Sequence, residues 1–228
     1  MVLNKKAKEL MTEIKRLSQS RGLNDVFTTF LEISAVSLGA QMDLSNATER
    51  EKRYQEIAAQ LPTEELSAYG KMLALLYLAV QHQKDDPCDI LGAIFHELQL
   101  NNEWNGQFFT PDNVSRMMAS ITIPSTLDKE VMTICEPACG SGTMIIASAW
   151  AMQQNHIDHK TRSLFIAKDL DIRCVWMTYI QMMLYEIPAI VVHGNSLTSE
   201  EWSRWYTPWA YVQLYKLEQA PAASTNAA

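Results

Sequence analysis

Cys135-Glu136-Pro137-Ala138-Cys139-Gly140-Ser141-Gly142 is a run of mostly small residues set between an apolar stretch at 131–135 and a helical pattern at 142–154. That layout is a strand, a tight loop and a helix. Such a loop lets backbone approach a ligand closely, and the helix N-terminus that follows attracts negative charge. The run reads as a nucleotide-type pocket or, as the alternative, as a plain tight turn. The third glycine of the dinucleotide fingerprint is missing, because Ile145 stands in its place. A carboxylate at Glu136 would repel a pyrophosphate and suit an ammonium.

Working outward, a second apolar run at 164–168 ends in Asp169-Leu170-Asp171. An acid at a strand end can accept hydrogen bonds from both hydroxyls of a ribose, or be a solvated turn residue. A helical pattern at 172–185 leads to a third run at 189–193 and then to Gly194-Asn195-Ser196-Leu197, whose amide can donate to or accept from a purine edge. From about Asn101 onward, short apolar runs alternate with helical stretches, which predicts βα units on a parallel sheet. All three candidate segments then lie at the carboxyl ends of successive strands, where open α/β sheets bind ligands.

The first hundred residues read as all-α. Leu3, Leu10, Met11, Ile14 and Leu17 recur at helical spacing and stop at Gly22, and a second helix is predicted over 24–41. Asn46 with Glu49 has capping-box spacing, so a third helix should start there and end before Pro62. Thr63 is the expected cap of a fourth, whose Met72, Leu73, Leu75, Leu76, Leu78 and Val80 predict the buried central helix of the bundle. Asp85-Asp86-Pro87 marks a turn before a last helical face of Ile90, Leu91, Ile94, Phe95 and Leu98. The expected organisation is a helical domain over 1–104, a Rossmann-like α/β domain over 105–219 and a disordered tail over 220–228.

Composition limits the function classes. The chain has 228 residues, 47% of them apolar and 20% charged, enough to bury a core. Its longest strongly apolar run is about nine residues against the roughly 20 of a membrane span, and no secretory or transit signal is read at the start. A cytoplasmic protein is expected. Cys88, Cys135, Cys139 and Cys174 form no CxxC pair and suggest reduced thiols. A net charge of −7 disfavours a free-standing, non-specific DNA binder but allows a subunit that reaches DNA through a basic partner.

Taken together, Gly106-Gln107-Phe108-Phe109-Thr110-Pro111, Glu136 through Gly142, Asp169-Leu170-Asp171 and Gly194 through Leu197 resemble, in order and spacing, the N6-adenine DNA methyltransferases, closest to the modification subunit of type I restriction systems. The resemblance implies S-adenosylmethionine as cofactor. Thr110 and Pro111, with Phe109, would hold its carboxylate end. Glu136, Pro137 and the Ala138, Gly140, Ser141 and Gly142 backbone would hold its methionine part. Asp169 and Leu170 would lie at its ribose, and Asn195, where the family more often has Asp, at its adenine.

The family's catalytic tetrapeptide, Asn or Asp followed by Pro-Pro and then Tyr or Phe, is absent. In the family it contacts a flipped adenine. The nearest segment is Tyr206-Thr207-Pro208-Trp209, a degenerate candidate; the alternative is an aromatic-rich strand or docking segment made with Trp202, Trp205, Tyr211 and Tyr215. Because about 30 residues follow Gly194, a partial sheet with an open edge is expected, and either a strand at 209–215 or a partner would cover it. Two functions therefore stand side by side: adenine-N6 methyl transfer to DNA, or a non-catalytic relative that binds cofactor, a restriction-modification subunit, or both. The implied partners are DNA, reached through or with another subunit, and a specificity or modification subunit; self-association is a further alternative.

Other residues are expected to be structural. His156 and His159 read as a solvated surface pair, His96-Glu97 lacks the second histidine of a zinc-protease helix, and no metal site is expected. Cys135 and Cys139 read as packing residues, and Met117, Met118, Met177, Met182 and Met183 as core.

Overall fold

The computed structural model describes residues 3–100 and 108–219. Five helices come first: α1 (Lys5–Arg21), α2 (Leu23–Met42), α3 (Ala47–Ala58), α4 (Thr63–Gln81) and α5 (Ile90–Glu97). The Asn4 side chain caps α1 by accepting from the Ala7 amide and ties it to α4 by donating to the Ala79 carbonyl. Gly22, at φ +84°, makes the sharp turn into α2.

Three details of this helical region differ from the sequence expectation. Asn46 closes no capping box: its carboxamide instead donates to Asp43 and to the Arg204 carbonyl, bridging toward the sheet. Thr63 opens α4 without capping it, following Pro62. The central helix is α2, which buries Val26, Phe27, Phe30, Leu31, Ile33 and Val36, whereas α4 leaves Tyr77 and Leu78 exposed. Apolar density alone did not separate these two helices; α2 touches α1, α3, α4 and the α/β part, so both of its sides are covered.

The second half is α6 (Asp112–Thr122), β1 (Met132–Glu136), α7 (Thr143–Gln154), α8 (His159–Arg162), β2 (Ser163–Asp169), α9 (Ile172–Leu184), β3 (Ala189–Asn195), β4 (Glu200–Tyr206) and α10 (Pro208–Gln219). The sheet order is β1-β2-β3-β4. The first three strands are parallel, with Ile134 beside Phe165 and Ala167 beside Val191, and β4 runs antiparallel along β3. One sheet face packs Phe165, Ala167, Ala189 and Val191 into the main core, which is continuous with the helical region. The other face, with Leu164, Ile190 and Val192, is covered by Ala210 of α10.

The α/β half carries its own corrections. The strand expected at 209–215 is helix α10: Pro208 suits a first helical turn, and Ala210 and Gln213 face inward at helical spacing. The edge strand is β4 instead, polar along most of its length and buried chiefly at Trp205. Met177, Met182 and Met183 are core, but Met117 and Met118 lie exposed on α6. His159 is buried rather than solvated, and Cys139 packs inside while Cys135 is exposed. The segment 101–107, with the first expected domain boundary and Gly106-Gln107, and the tail 220–228 lie outside the described residues. None of the described helices is long and apolar enough to cross a membrane.

Candidate cofactor site

The loop after β1 carries two glycines in the left-handed region, Gly140 at φ +54° and Gly142 at φ +93°, the latter capping α7. A side chain is excluded at Gly140 for a second reason, since a Cβ there would stand 2.9 Å from the Phe109 ring. The loop is pinned to the end of β2: the Cys139 amide donates to the Lys168 carbonyl at 3.0 Å and the Gly140 amide to Asp169 Oδ2 at 2.8 Å. Asp169 Oδ1 accepts from the Asp171 amide at 2.9 Å. From α9, Thr178 Oγ1 donates to the Gly140 carbonyl at 2.9 Å.

Around this loop Phe108, Phe109, Thr110, Ala138, Gly140, Ser141 and Asp169 line a cavity of about 190 Å3. It adjoins a second of about 590 Å3, with which it shares Phe108, Phe109, Thr110 and Thr143 and which adds Pro111. Together they reach the size range of small-molecule sites. The expected residues Phe109, Thr110, Pro111, Ala138, Gly140, Ser141 and Asp169 are thus brought together, from the segment before α6 and the ends of β1 and β2.

The other expected residues are placed differently. Glu136 ends β1, and its carboxylate accepts from the Ala138 amide at 3.2 Å. The Pro137 carbonyl accepts from Ser196 Oγ at 2.5 Å, and Gly142 lies against Thr178. Leu170 is exposed. Asn195 Oδ1 is occupied by the Leu197 and Thr198 amides, which folds its side chain into its own turn. Tyr206-Thr207-Pro208-Trp209 joins β4 to α10: Thr207 Oγ1 accepts from the amide of Ala189, the first residue of β3, at 2.8 Å and donates to the Ile187 carbonyl at 3.0 Å. That joint sits at the strand starts, and the cavity at the strand ends.

The site is acidic and uncompensated. Burial is the main cause pushing the Glu136 carboxyl above its ordinary range, and nearby Asp169 adds to it against the Ala138 amide. Asp169 is likewise raised chiefly by burial, against the amides of Asp171 and Gly140. Neither carboxylate has an ion pair among the described residues: nearby Lys168 pairs with Glu201 at 3.0 Å and Arg173 with Asp171 at 2.6 Å. A cationic ligand group would relieve this stress.

Sequence reasoning missed four residues that build the site. Asp89, Gln181 and Thr178 bond to the loop or its first helical turn. His96, considered only as part of a metal motif, accepts the Phe109 amide on Nε2 at 3.3 Å and packs edge-on to its ring. The one usable signal was Asp89 itself, a capping residue directly before an apolar helix.

A family model described as N-6 DNA Methylase matches residues 83–216, more than half of the chain. The chain belongs to the N-6 DNA methylase family. Among solved structures, the chain is similar to a putative class I S-adenosylmethionine-dependent methyltransferase from Listeria monocytogenes, at 13% identity and TM-score 0.46, covering 85% of this chain and 55% of that one. It is also similar to the type I restriction-modification system methyltransferase subunit from Streptococcus thermophilus, at 16% identity and TM-score 0.41, covering 89% of this chain and 42% of that one. The chain therefore spans about half the length of these structures. No curated relative matches it. The assembled candidate residues, from Asp89 to Asp169, lie wholly inside the matched segment, and α1 to α4 lie outside it.

Proposed function

We propose that this chain binds S-adenosylmethionine at the carboxyl ends of β1 and β2 and serves the methylation of adenine N6 in DNA. The observation that carries the reading is the Gly140 loop: a positive-φ glycine under Phe109, bonded to Asp169, beside two half-buried carboxylates that have no ion pair among the described residues. These residues fit the cofactor. Its sulfonium and ammonium answer the acidic pair, its ribose can share Asp169, and its carboxylate end can lie against Thr110 and Pro111. The cofactor supplies an activated methyl group; the chain's own residues bind and orient it. Asn195 remains at the end of β3 as the candidate adenine contact, and would have to exchange its turn bonds for that role.

A second reading, cofactor binding without methyl transfer by this chain alone, is favoured by one observation. Tyr206-Thr207-Pro208-Trp209 is built into the strand-start end of the sheet, remote from the cavity in topology. On that reading the groups that hold the target adenine, and DNA itself, come with a restriction-modification partner subunit. Calorimetric titration with S-adenosylmethionine, with Asp169→Ala alongside, tests the shared part: saturable binding lost in the variant supports it, and no heat from the unaltered chain overturns it. Tritium transfer from labelled cofactor to adenine-containing DNA, with and without modification and specificity subunits, then separates the two readings.

A further inference from the structure

The cavity is bounded on one side by the helical region, and the seam between them is made by one buried carboxylate. Asp89, 5% exposed at the start of α5, has both oxygens filled. Oδ1 accepts from the Gly92 amide at 2.7 Å and from Gln181 Nε2 at 2.8 Å. Oδ2 accepts from the hydroxyls of Ser141 and Thr143, which lie 52 and 54 positions further along the chain, in the cofactor loop and at the start of α7. Gln181, fully buried on α9, completes the arrangement: its Nε2 also donates to the Ser141 carbonyl at 2.7 Å, and its Oε1 accepts from the Ile90 and Leu91 amides. Three elements, α5, α9 and the loop, thus meet on two side chains.

The closeness of this seam is built into the sequence. A Cβ at Gly92 would fall 2.1 Å from Asp89 Oδ2 and 2.7 Å from Ser141 Oγ, so only glycine lets α5 come this near the loop. Tyr185 repeats the connection one residue earlier, its hydroxyl donating to the Cys88 carbonyl at 2.8 Å. A buried carboxylate held by four donors is costly to disturb, because removing it leaves those donors unpaired. The same geometry fixes where the Ser141 and Thr143 hydroxyls point and thereby the path of the chain from Gly140 to Gly142.

We infer that Asp89 is a positioning residue, through which the helical region holds the cofactor loop in its open, ligand-accepting shape. The inference rests on the proposed reading of the loop as a cofactor cradle and adds to it that the helical region controls the site. Release of Asp89 would loosen the loop.

The test uses the full chain and two readouts: amide hydrogen exchange at Gly140 and Gly142 without ligand, and the Kd for S-adenosylmethionine. Asp89→Ala should speed exchange at both glycines and raise the Kd by about tenfold or more, while α1 and α4 keep their protection. Thr143→Val, which removes one loop-side hydroxyl at nearly constant volume, should do the same by a smaller factor. The double variant should be no worse than Asp89→Ala, since both changes break one contact. Unchanged exchange and Kd in Asp89→Ala, or losses that multiply in the double variant, would overturn the inference. If Asp89→Ala does not fold, Thr143→Val decides it alone, and unchanged loop exchange there overturns it. If the unaltered chain binds no cofactor while Asp89→Ala still loosens the loop, the cofactor reading fails and the positioning role stands.

Discussion

The Gly140 amide donates to Asp169 Oδ2 at 2.8 Å across 29 positions of sequence, so the loop after β1 and the end of β2 form one hydrogen-bonded corner. That bond joins two segments, each weak as a motif, into one corner at the strand ends. The acid orients the loop, and the loop in turn satisfies one oxygen of a carboxylate that burial would otherwise penalise.

The corner leaves Gly140 little room to change. Gly140→Ala must place an L-residue at φ +54° and push the Phe109 ring away from 2.9 Å. We expect a loss of about 1–3 kcal/mol in stability by thermal or urea unfolding. S-adenosylmethionine binding should fall beyond detection by calorimetry. Unaltered binding would show that Phe109 does not need this approach.

The acidic pair predicts a stability that runs against function. Glu136 has a native pKa raised above its ordinary 4.5, so the fold prefers its protonated form. Its contribution is fully present below the unfolded-state value and is lost as pH rises through the raised native value. Glu136→Gln keeps an oxygen for the Ala138 amide and removes the charge. In the absence of ligand it should melt about 1–3 °C above the unaltered chain at pH 7. The difference should vanish as pH falls through the carboxylate range, and the variant should bind the cofactor more weakly. A melting point at or below that of the unaltered chain at pH 7 would contradict this electrostatic account.

How far the sequence alone leads depends on which interactions are local. β1, β2 and β3 and helices α7 and α9 were legible because apolar periodicity and loop chemistry are local properties, and so was the placing of Gly140 and Asp169 at successive strand ends, though not the bond between them. The strand β4 was not: Glu200, Glu201 and Arg204 give it the profile of a loop, and it pairs only because β3 offers an edge. The open sheet edge led to reading 209–215 as a further strand, with a covering partner as the alternative, yet Pro208 and an inward Ala210 set a helix there. Asp89 carried at most a helix-capping signal and not its role in the site, because its partners Ser141, Thr143 and Gln181 come together only through the packing of α5 on α9.

Thiol chemistry gives an independent check on the loop. Burial pushes Cys88 up to about 12, and raises Cys139 and Cys174 as well, so none of the three presents a thiolate near neutral pH. Cys135 is exposed on β1. A chromogenic disulfide reagent at pH 8 should therefore titrate one fast thiol in the native chain, abolished by Cys135→Ser, and all four cysteines in denaturant. Fast reaction at Cys139, in the middle of the loop, would mean that the loop opens readily and that the corner is not rigid.

Thr207 separates the segment at the strand starts from the site at the strand ends. Its hydroxyl accepts from the Ala189 amide and donates to the Ile187 carbonyl, and the residue is fully buried. Thr207→Val conserves shape and leaves both backbone groups without a partner, which should cost about 1–3 kcal/mol by urea unfolding. If Tyr206-Thr207-Pro208-Trp209 is the structural joint between β4 and α10, the folded variant should bind S-adenosylmethionine within about twofold of the unaltered chain, since that change lies inside the usual scatter of remote substitutions. Any methyl transfer supported by a partner subunit should persist as well. A variant of unchanged stability that nevertheless loses transfer would place Thr207 in the chemistry and move the active centre to the other end of the sheet.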